Sequence, residues 1–323
     1  MFKQQANVKQ IGSHSYTSSH HRDWTIGPTL HGGSVAAILY LVAETHFQTT
    51  LEKYRQPDVL TLHVEFLRYC TPKDSTIIVT DLKRGATTCN IQLRLVQDDQ
   101  TKVMAFASST NFSQSLGPGA QTDWAFHPPP KPAPSFAKVL AREPDENWIP
   151  VFLHGQIFPL PRHWTYLIPR GGFPVAGVYE AWSTLNHGRM DAATMALMVD
   201  MIPSLSDTLL GNDGLWDAHK ISRTAEAFAE EHPGQVCNLT NSAAEAARAS
   251  VINNTVCLEV EFKKRVPREG IQWVFTRAEA KQLAGGRMDL DVTLCDEDMD
   301  LVCHTRQVIL VLDAQKRFRD NKL

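Results

Sequence analysis

The chain has 323 residues, 43% of them apolar and 21% charged, with a formal net charge of −3. This length and composition fit a soluble globular protein of about two domains and exclude a disordered or fibrous chain. The slight negative charge gives no bulk attraction to nucleic acid or an anionic membrane, so neither partner is expected. In chain order, Met1-Phe2-Lys3-Gln4-Gln5 lacks the apolar core of a signal peptide, and no apolar run is long enough to span a bilayer. A first helix is predicted from about Gly33 to Phe47, apolar almost all round and therefore buried on most sides. The stretch Leu62-His63-Val64-Glu65-Phe66 alternates apolar and polar residues as a half-buried strand does, and Val103-Met104-Ala105-Phe106 is a second strand. Residues 117–150, with Pro128-Pro129-Pro130-Lys131-Pro132-Ala133-Pro134, read as an extended, semi-rigid linker. A second helix is predicted from about Met190 to Met201, ended by Pro203. Residues 207–250 form a long insertion with helix-favouring stretches at 224–231 and 242–248, either a lid or a passive excursion. Strands return at Leu258-Glu259-Val260-Glu261-Phe262 and Leu301-Val302-Cys303.

The chain is written twice. Leu, Val, Glu and Phe of Leu62–Phe66 recur in Leu258–Phe262 at an offset of 196 residues. Farther on, Asp98 ahead of the strand at Val103 corresponds to Asp296 ahead of the strand at Leu301, at an offset of 198. Shared order and nearly shared spacing indicate duplication. Each copy places one long buried helix before several antiparallel strands, which describes a sheet wrapped around a helix. The fold expected is α+β, a double hotdog. Its domains are residues 1–116, a linker at 117–150, and residues 151–323. Two such sheets joined side by side would protect two edges.

At this level the residues resemble a known family. Trp24-Thr25-Ile26-Gly27-Pro28-Thr29-Leu30-His31-Gly32-Gly33 is similar to the opening of the thioesterase-like superfamily, which includes the bacterial medium-chain acyl-CoA thioesterase II and fungal relatives. Phe66-Leu67-Arg68 before Pro72, and Leu82-Lys83-Arg84-Gly85, resemble its first-half strands and turn. Thr255-Val256-Cys257-Leu258 resembles the family's P-T-x-x-L strand, and Leu301 to Gln307 its closing L-V-A-x-x-x-Q strand. The resemblance covers roughly residues 15–115 and 175–312. It implies an acyl-thioester hydrolase whose catalytic trio is Asp200, Thr255 and Gln307. This chain departs from the pattern at Val199 (Ser in the bacterial enzyme), Ser34 (Gln) and Asn254 (usually Pro), and its insertion is longer.

The chemistry suits that implication. Asp200 lies in Leu197-Met198-Val199-Asp200-Met201-Ile202, where burial would raise its pKa and make it a better base toward water. The Thr255 hydroxyl and Gln307 amide could hold that water by hydrogen bonds, lowering the entropic part of the barrier. Backbone N–H groups at the start of the first helix, around Gly32 and Gly33, are candidate oxyanion donors, with His31 in a positioning role. Asp191 is expected to face elsewhere and interact with the helix dipole.

An isomerase or cyclase reusing Asp200, or a non-catalytic acyl-binding protein, stays open, as does assembly into a homo-oligomer. No metal and no cofactor is expected: the six cysteines lack a C-x-x-C pair, the histidines lack ligand spacing, His20-His21 read as surface residues, and no phosphate-binding fingerprint is present. Without a secretion signal, the cysteines are expected as reduced, mostly buried thiols. A cytoplasmic location follows, with a peroxisomal alternative because Asn321-Lys322-Leu323 partly matches a targeting tripeptide.

Overall fold

Residues 32–48 form helix α1 (Gly32–Gln48), buried continuously from Gly33 to Ala43 as its apolar sequence requires. The structure, a computed structural model, describes residues 2–314; the Asn321-Lys322-Leu323 tripeptide lies outside them. Twelve main strands surround this helix and its counterpart. In the first half these are β1 (Ser15–Ser18), β2 (Asp58–Phe66), β3 (Ser75–Arg84), β4 (Cys89–Gln97) and β5 (Gln100–Thr110). In the second they are β6 (Trp148–Gly155), β7 (Trp164–Pro169), β8 (Val178–Leu185), β9 (Val251–Phe262), β10 (Val274–Glu279), β11 (Arg287–Cys295) and β12 (Leu301–Asp313). They lie in one sheet in the order β1-β3-β4-β5-β2-β9-β12-β11-β10-β8-β7-β6, with short strands Lys9–Gly12 and Cys237–Asn241 at its two ends. The strand β4 shows how sequence sets the layers: Cys89, Ile91, Leu93, Leu95 and Gln97 point inward and are buried, while the residues between them are less so. The architecture is a double hotdog.

The seam between the halves is made by the repeated strand itself. β2 and β9 pair antiparallel with Val64 opposite Leu258, Leu62 opposite Val260 and His63 opposite Glu259. Leu62, Val64, Leu258 and Val260 are all fully buried. The two copies of one motif therefore face each other about a local pseudo-twofold axis near the His63–Glu259 pair. Each supplies the backbone partners that the other's edge would otherwise lack.

The second helix is shorter than its sequence suggests. Helix α2 spans Ala192–Met198, with Asp191 as its N-cap accepting from the Thr194 N–H at 2.8 Å. The expected continuation to Met201 does not form. Instead the Asp200 and Met201 N–H groups close tight turns onto the carbonyls of Leu197 and Met198, and Gln307 takes the Val199 carbonyl at 2.7 Å. A tertiary donor thus replaces the next helical turn, and Pro203 disfavours helical geometry just ahead of it.

Residues 117–147 lie over the outer face of the second half. Phe126 meets Phe275 with ring centroids 5.5 Å apart and Phe136 stacks on Trp273 at 4.9 Å. Together with Trp148, Leu167 and Trp182 they form a second apolar cluster. Buried beneath it, Arg277 bonds Glu180 through Nε at 2.7 Å, donates to the Pro128 carbonyl and lies 4.5 Å from the Phe126 ring centre.

The insertion carries helix α3 (Ala218–Glu231), which begins six residues before the favourable stretch. Asp217 caps it by accepting from the His219 and Lys220 N–H groups, and a cap outweighs weak propensity in setting a helix start. The expected helix at 242–248 is only a single turn, Ala243–Ala246, and an unforeseen strand, Cys237–Asn241, pairs parallel with β6. The six cysteines are free thiols, all buried except the half-buried Cys257. Among the described residues no helix is long and apolar enough to cross a membrane.

Arg277→Met should lower unfolding free energy by about 3–5 kcal/mol, because it strands the buried Glu180 carboxylate. The double variant Arg277→Met/Glu180→Leu should recover most of that loss in a denaturant titration. Equal losses in both would show that the pair is not what holds the layer.

Candidate active site

The site begins at the N-terminus of α1. His31 is the N-cap residue and Gly33 lies in the first turn, with its N–H donating to the Asp200 carboxylate (Oδ2) at 2.7 Å. A helix start offers unpaired donors and a positive dipole end, so it suits a carboxylate. The close approach requires glycine. A Cβ on Gly33 would sit 2.3 Å from the Leu197 carbonyl oxygen, and one on Gly32 would sit 2.7 Å from Asp200 Oδ2. Among the described residues none accepts from the Gly32 N–H.

His31 closes the same junction from the other side. Its Nε2–H donates to the Asp200 backbone carbonyl at 3.1 Å and lies 3.5 Å from the carboxylate. Burial lowers the His31 pKa despite the neighbouring Asp200, which favours the neutral ring. In the neutral ring with Nε2–H donating, Nδ1 is an acceptor, and it is buried without a partner among the described residues.

Thr255 reaches the carboxylate through a β-bulge. In regular pairing, residues three apart on a strand face opposite sides. Here Leu258 lies opposite Gln307 and Thr255 opposite Ile309, because the register shifts between Thr255 and Cys257. The bulge turns Thr255 to the inner face, where its hydroxyl donates to Asp200 Oδ1 at 3.4 Å. Gln307, 3% exposed, points inward from β12. Its amide N–H bonds the Val199 carbonyl, leaving Oε1 buried with no partner among the described residues.

The Asp200 side chain is only 11% exposed. Burial raises its pKa, while His31, the Gly33 N–H and the Thr255 hydroxyl partly oppose the rise. The structure therefore brings Asp200, Thr255, His31, Gly32 and Gly33 into one junction between the halves, with Gln307 bonded to the residue next to Asp200. Gly33 departs from the role anticipated for it: its N–H is already engaged by the carboxylate.

Two neighbours escaped the sequence reading. Phe158 stacks on His31 with centroids 5.0 Å apart, and Trp216 from the insertion meets Phe158 edge-on at 5.8 Å. Neither lies in a periodic pattern or motif, so only the fold reveals them. His20 and His21, expected at the surface, are half-buried. His20 bonds the Ser75 hydroxyl at 2.7 Å, and burial lowers its pKa to about 4.

Family models described as the acyl-CoA thioesterase N-terminal domain and the acyl-CoA thioesterase C-terminal domain match residues 20–110 and 130–311. The chain belongs to this acyl-CoA thioesterase family. It is similar to the thioesterase-like protein TwmA of Talaromyces wortmannii, with 24% identity over 98% of this chain and 93% of that protein. Among solved structures, a hot-dog-fold protein from Alicyclobacillus acidocaldarius has a TM-score of 0.64 and 18% identity, covering 96% of this chain and 97% of that one. The acyl-CoA thioesterase II TesB2 of Mycobacterium marinum has a TM-score of 0.60 and 16% identity, covering 97% of this chain and 98% of that one. These two share the fold. This thioesterase is a thioester hydrolase.

Two glycine substitutions should separate packing from carboxylate placement. Gly33→Ala should cost about 1–3 kcal/mol of stability by overpacking against the Leu197 carbonyl. Gly32→Ala should disturb mainly the Asp200 carboxylate, so thioester turnover should fall more than melting temperature. Wild-type turnover in Gly32→Ala would show that the carboxylate need not sit against the helix start.

Proposed function

We propose that the enzyme hydrolyses an acyl-CoA by means of a water held between Asp200, Thr255 and Gln307. The observation that carries this reading is the carboxylate at the junction. It is shielded and raised in pKa, is anchored through one oxygen by the Gly33 N–H, and meets the Thr255 hydroxyl through the other. The unpartnered Gln307 Oε1 supplies an acceptor that a water could satisfy.

In this mechanism Asp200 takes a proton from the water as the remaining hydroxyl bonds to the thioester carbonyl carbon. The carbonyl oxygen becomes an oxyanion. With the Gly33 N–H engaged by Asp200, the positive end of α1 and the Gly32 N–H are the donors left to stabilise it. The intermediate then re-forms its carbonyl and breaks the C–S bond. Protonated Asp200 returns its proton to the departing thiolate, giving free CoA and a carboxylic acid. His31, bonded to the backbone of Asp200 and stacked on Phe158, positions the base. Phe158 and Trp216 offer an apolar wall for the acyl group beside it.

Asp200→Asn should lower kcat by about 10²–10⁴-fold, the scale of one general base, with KM little changed. The measurement is release of free thiol from a panel of acyl-CoAs of graded chain length. Turnover equal to wild type on every substrate would remove Asp200 from the chemistry.

A pH profile tests the same site. The base works only when ionised, so kcat/KM should rise with pH on a limb set by Asp200, above the ordinary aspartate range. Thr255 lowers the Asp200 pKa, so Thr255→Val should move that limb to higher pH. A limb that stays in place, or moves down, would contradict the contact.

A further inference from the structure

At the opposite end of α1 from the active site lies a second polar cluster. His46, in the last turn, is thirteen residues from Gly33, or about 20 Å along the helix axis at 1.5 Å per residue. His46 Nε2 lies 2.8 Å from Asp81 Oδ1, and His14 Nε2 lies 3.1 Å from Asp81 Oδ2. The three prospective ligand atoms all fall within 4.8 Å of one another. Three separate elements supply them: the turn before β1, the end of α1 and β3. The main chain fastens the first to the last, since the Val79 N–H donates to the His14 carbonyl at 2.9 Å.

The outer contacts of the two imidazoles match as well. His46 Nδ1 meets the buried Tyr16 hydroxyl at 2.9 Å, and His14 Nδ1 meets the Ser13 hydroxyl at 2.9 Å. Each ring therefore uses Nδ1 for a hydroxyl and turns Nε2 toward the same carboxylate. A hydroxyl behind the non-ligating nitrogen is the kind of support that fixes an imidazole's orientation at a metal. His46 and Asp81 are almost wholly buried, and His14 is partly open.

One cation already competes. Arg84 bonds Asp81 Oδ2 through Nη2 at 2.7 Å and Nε at 3.0 Å, but its side chain is half exposed and can swing into solvent.

We propose that His14, His46 and Asp81 form a binding site for a divalent transition metal of the zinc class, with a fourth position open to water. Two imidazole nitrogens and one carboxylate oxygen suit zinc and its borderline neighbours, whereas magnesium and calcium prefer oxygen ligands. Metal binding through Nε2 takes each ring as its Nδ1–H tautomer, with Nδ1–H then donating to the hydroxyl behind it. The metal replaces the two Nε2–H donors on Asp81, and Arg84 turns outward. The site ties the N-terminal segment, α1 and β3 together as a structural clasp remote from the thioester chemistry.

The test uses the full chain after chelator treatment, titrated with zinc by calorimetry and with cobalt(II) by visible absorption. Wild type should take up one equivalent of zinc and melt at a higher temperature with it. His14→Ala, at the most exposed ligand, should weaken uptake at least tenfold while leaving thioester hydrolysis unchanged. Arg84→Gln should tighten binding several-fold, because it removes the competing cation; a merely structural His–Asp–Arg network would instead lose stability and gain no metal. The proposal is overturned if neither wild type nor Arg84→Gln binds zinc, or if binding survives unchanged in His14→Ala. A His14→Gln variant guards against a folding defect in the alanine form: weakened uptake by a folded His14→Gln supports the site, and undiminished uptake counts against it.

Discussion

The Asp200 carboxyl sits in a place where water has little access, and a buried carboxylate is tolerable only if donors meet it. In this enzyme a principal donor is not local. It is the Gly33 N–H at the start of α1, in the opposite half of the molecule. Much follows from that one bond. The two helices must approach closely enough for a Gly33 Cβ to have no room. α2 must stop before Asp200 so that the side chain can turn back. His31 donates to the Asp200 carbonyl from a buried position that favours its neutral form. The same bond that makes the carboxylate affordable also orients it.

Such an approach requires the halves to be in fixed register, and the seam provides it. β2 and β9 are the two copies of one repeated strand, paired antiparallel with their apolar residues buried on one face. A slip by one residue would turn every side chain to the wrong face, so the hydrophobic pattern enforces the register. The candidate site is nevertheless asymmetric. One half contributes the glycine-lined helix start, and the other contributes Asp200, Thr255 and Gln307. Duplication supplied the symmetric frame, and divergence placed different groups at its junction.

The second half is also more heavily covered. Residues 117–147 place Phe126 and Phe136 on the outer face of its sheet, over the Arg277–Glu180 pair. The insertion adds an edge strand to β6 and delivers Trp216 to Phe158, which stacks on His31. A long excursion thus ends in contact with the candidate site through two rings.

Sequence alone determined what depends on local pattern. The apolar run of α1 implied a buried helix, period-two alternation implied half-buried strands, and the recurrence of Leu62–Phe66 at Leu258–Phe262 implied two copies of one fold. Asp200, Thr255 and Gln307 were legible through ordered resemblance. Tertiary structure decided everything that depends on where distant segments meet. The early end of α2 came from Gln307 competing for a helical carbonyl. The aim of Thr255 came from a bulge that no composition rule marks, and Gly33 proved to anchor a carboxylate because Asp200 reaches it across the seam. The His14, His46 and Asp81 cluster was invisible for the same reason: its members are 32 and 35 residues apart along the chain and converge only when β1, α1 and β3 pack together. Periodicity reports which face of an element is apolar; it carries no information about which element that face will find.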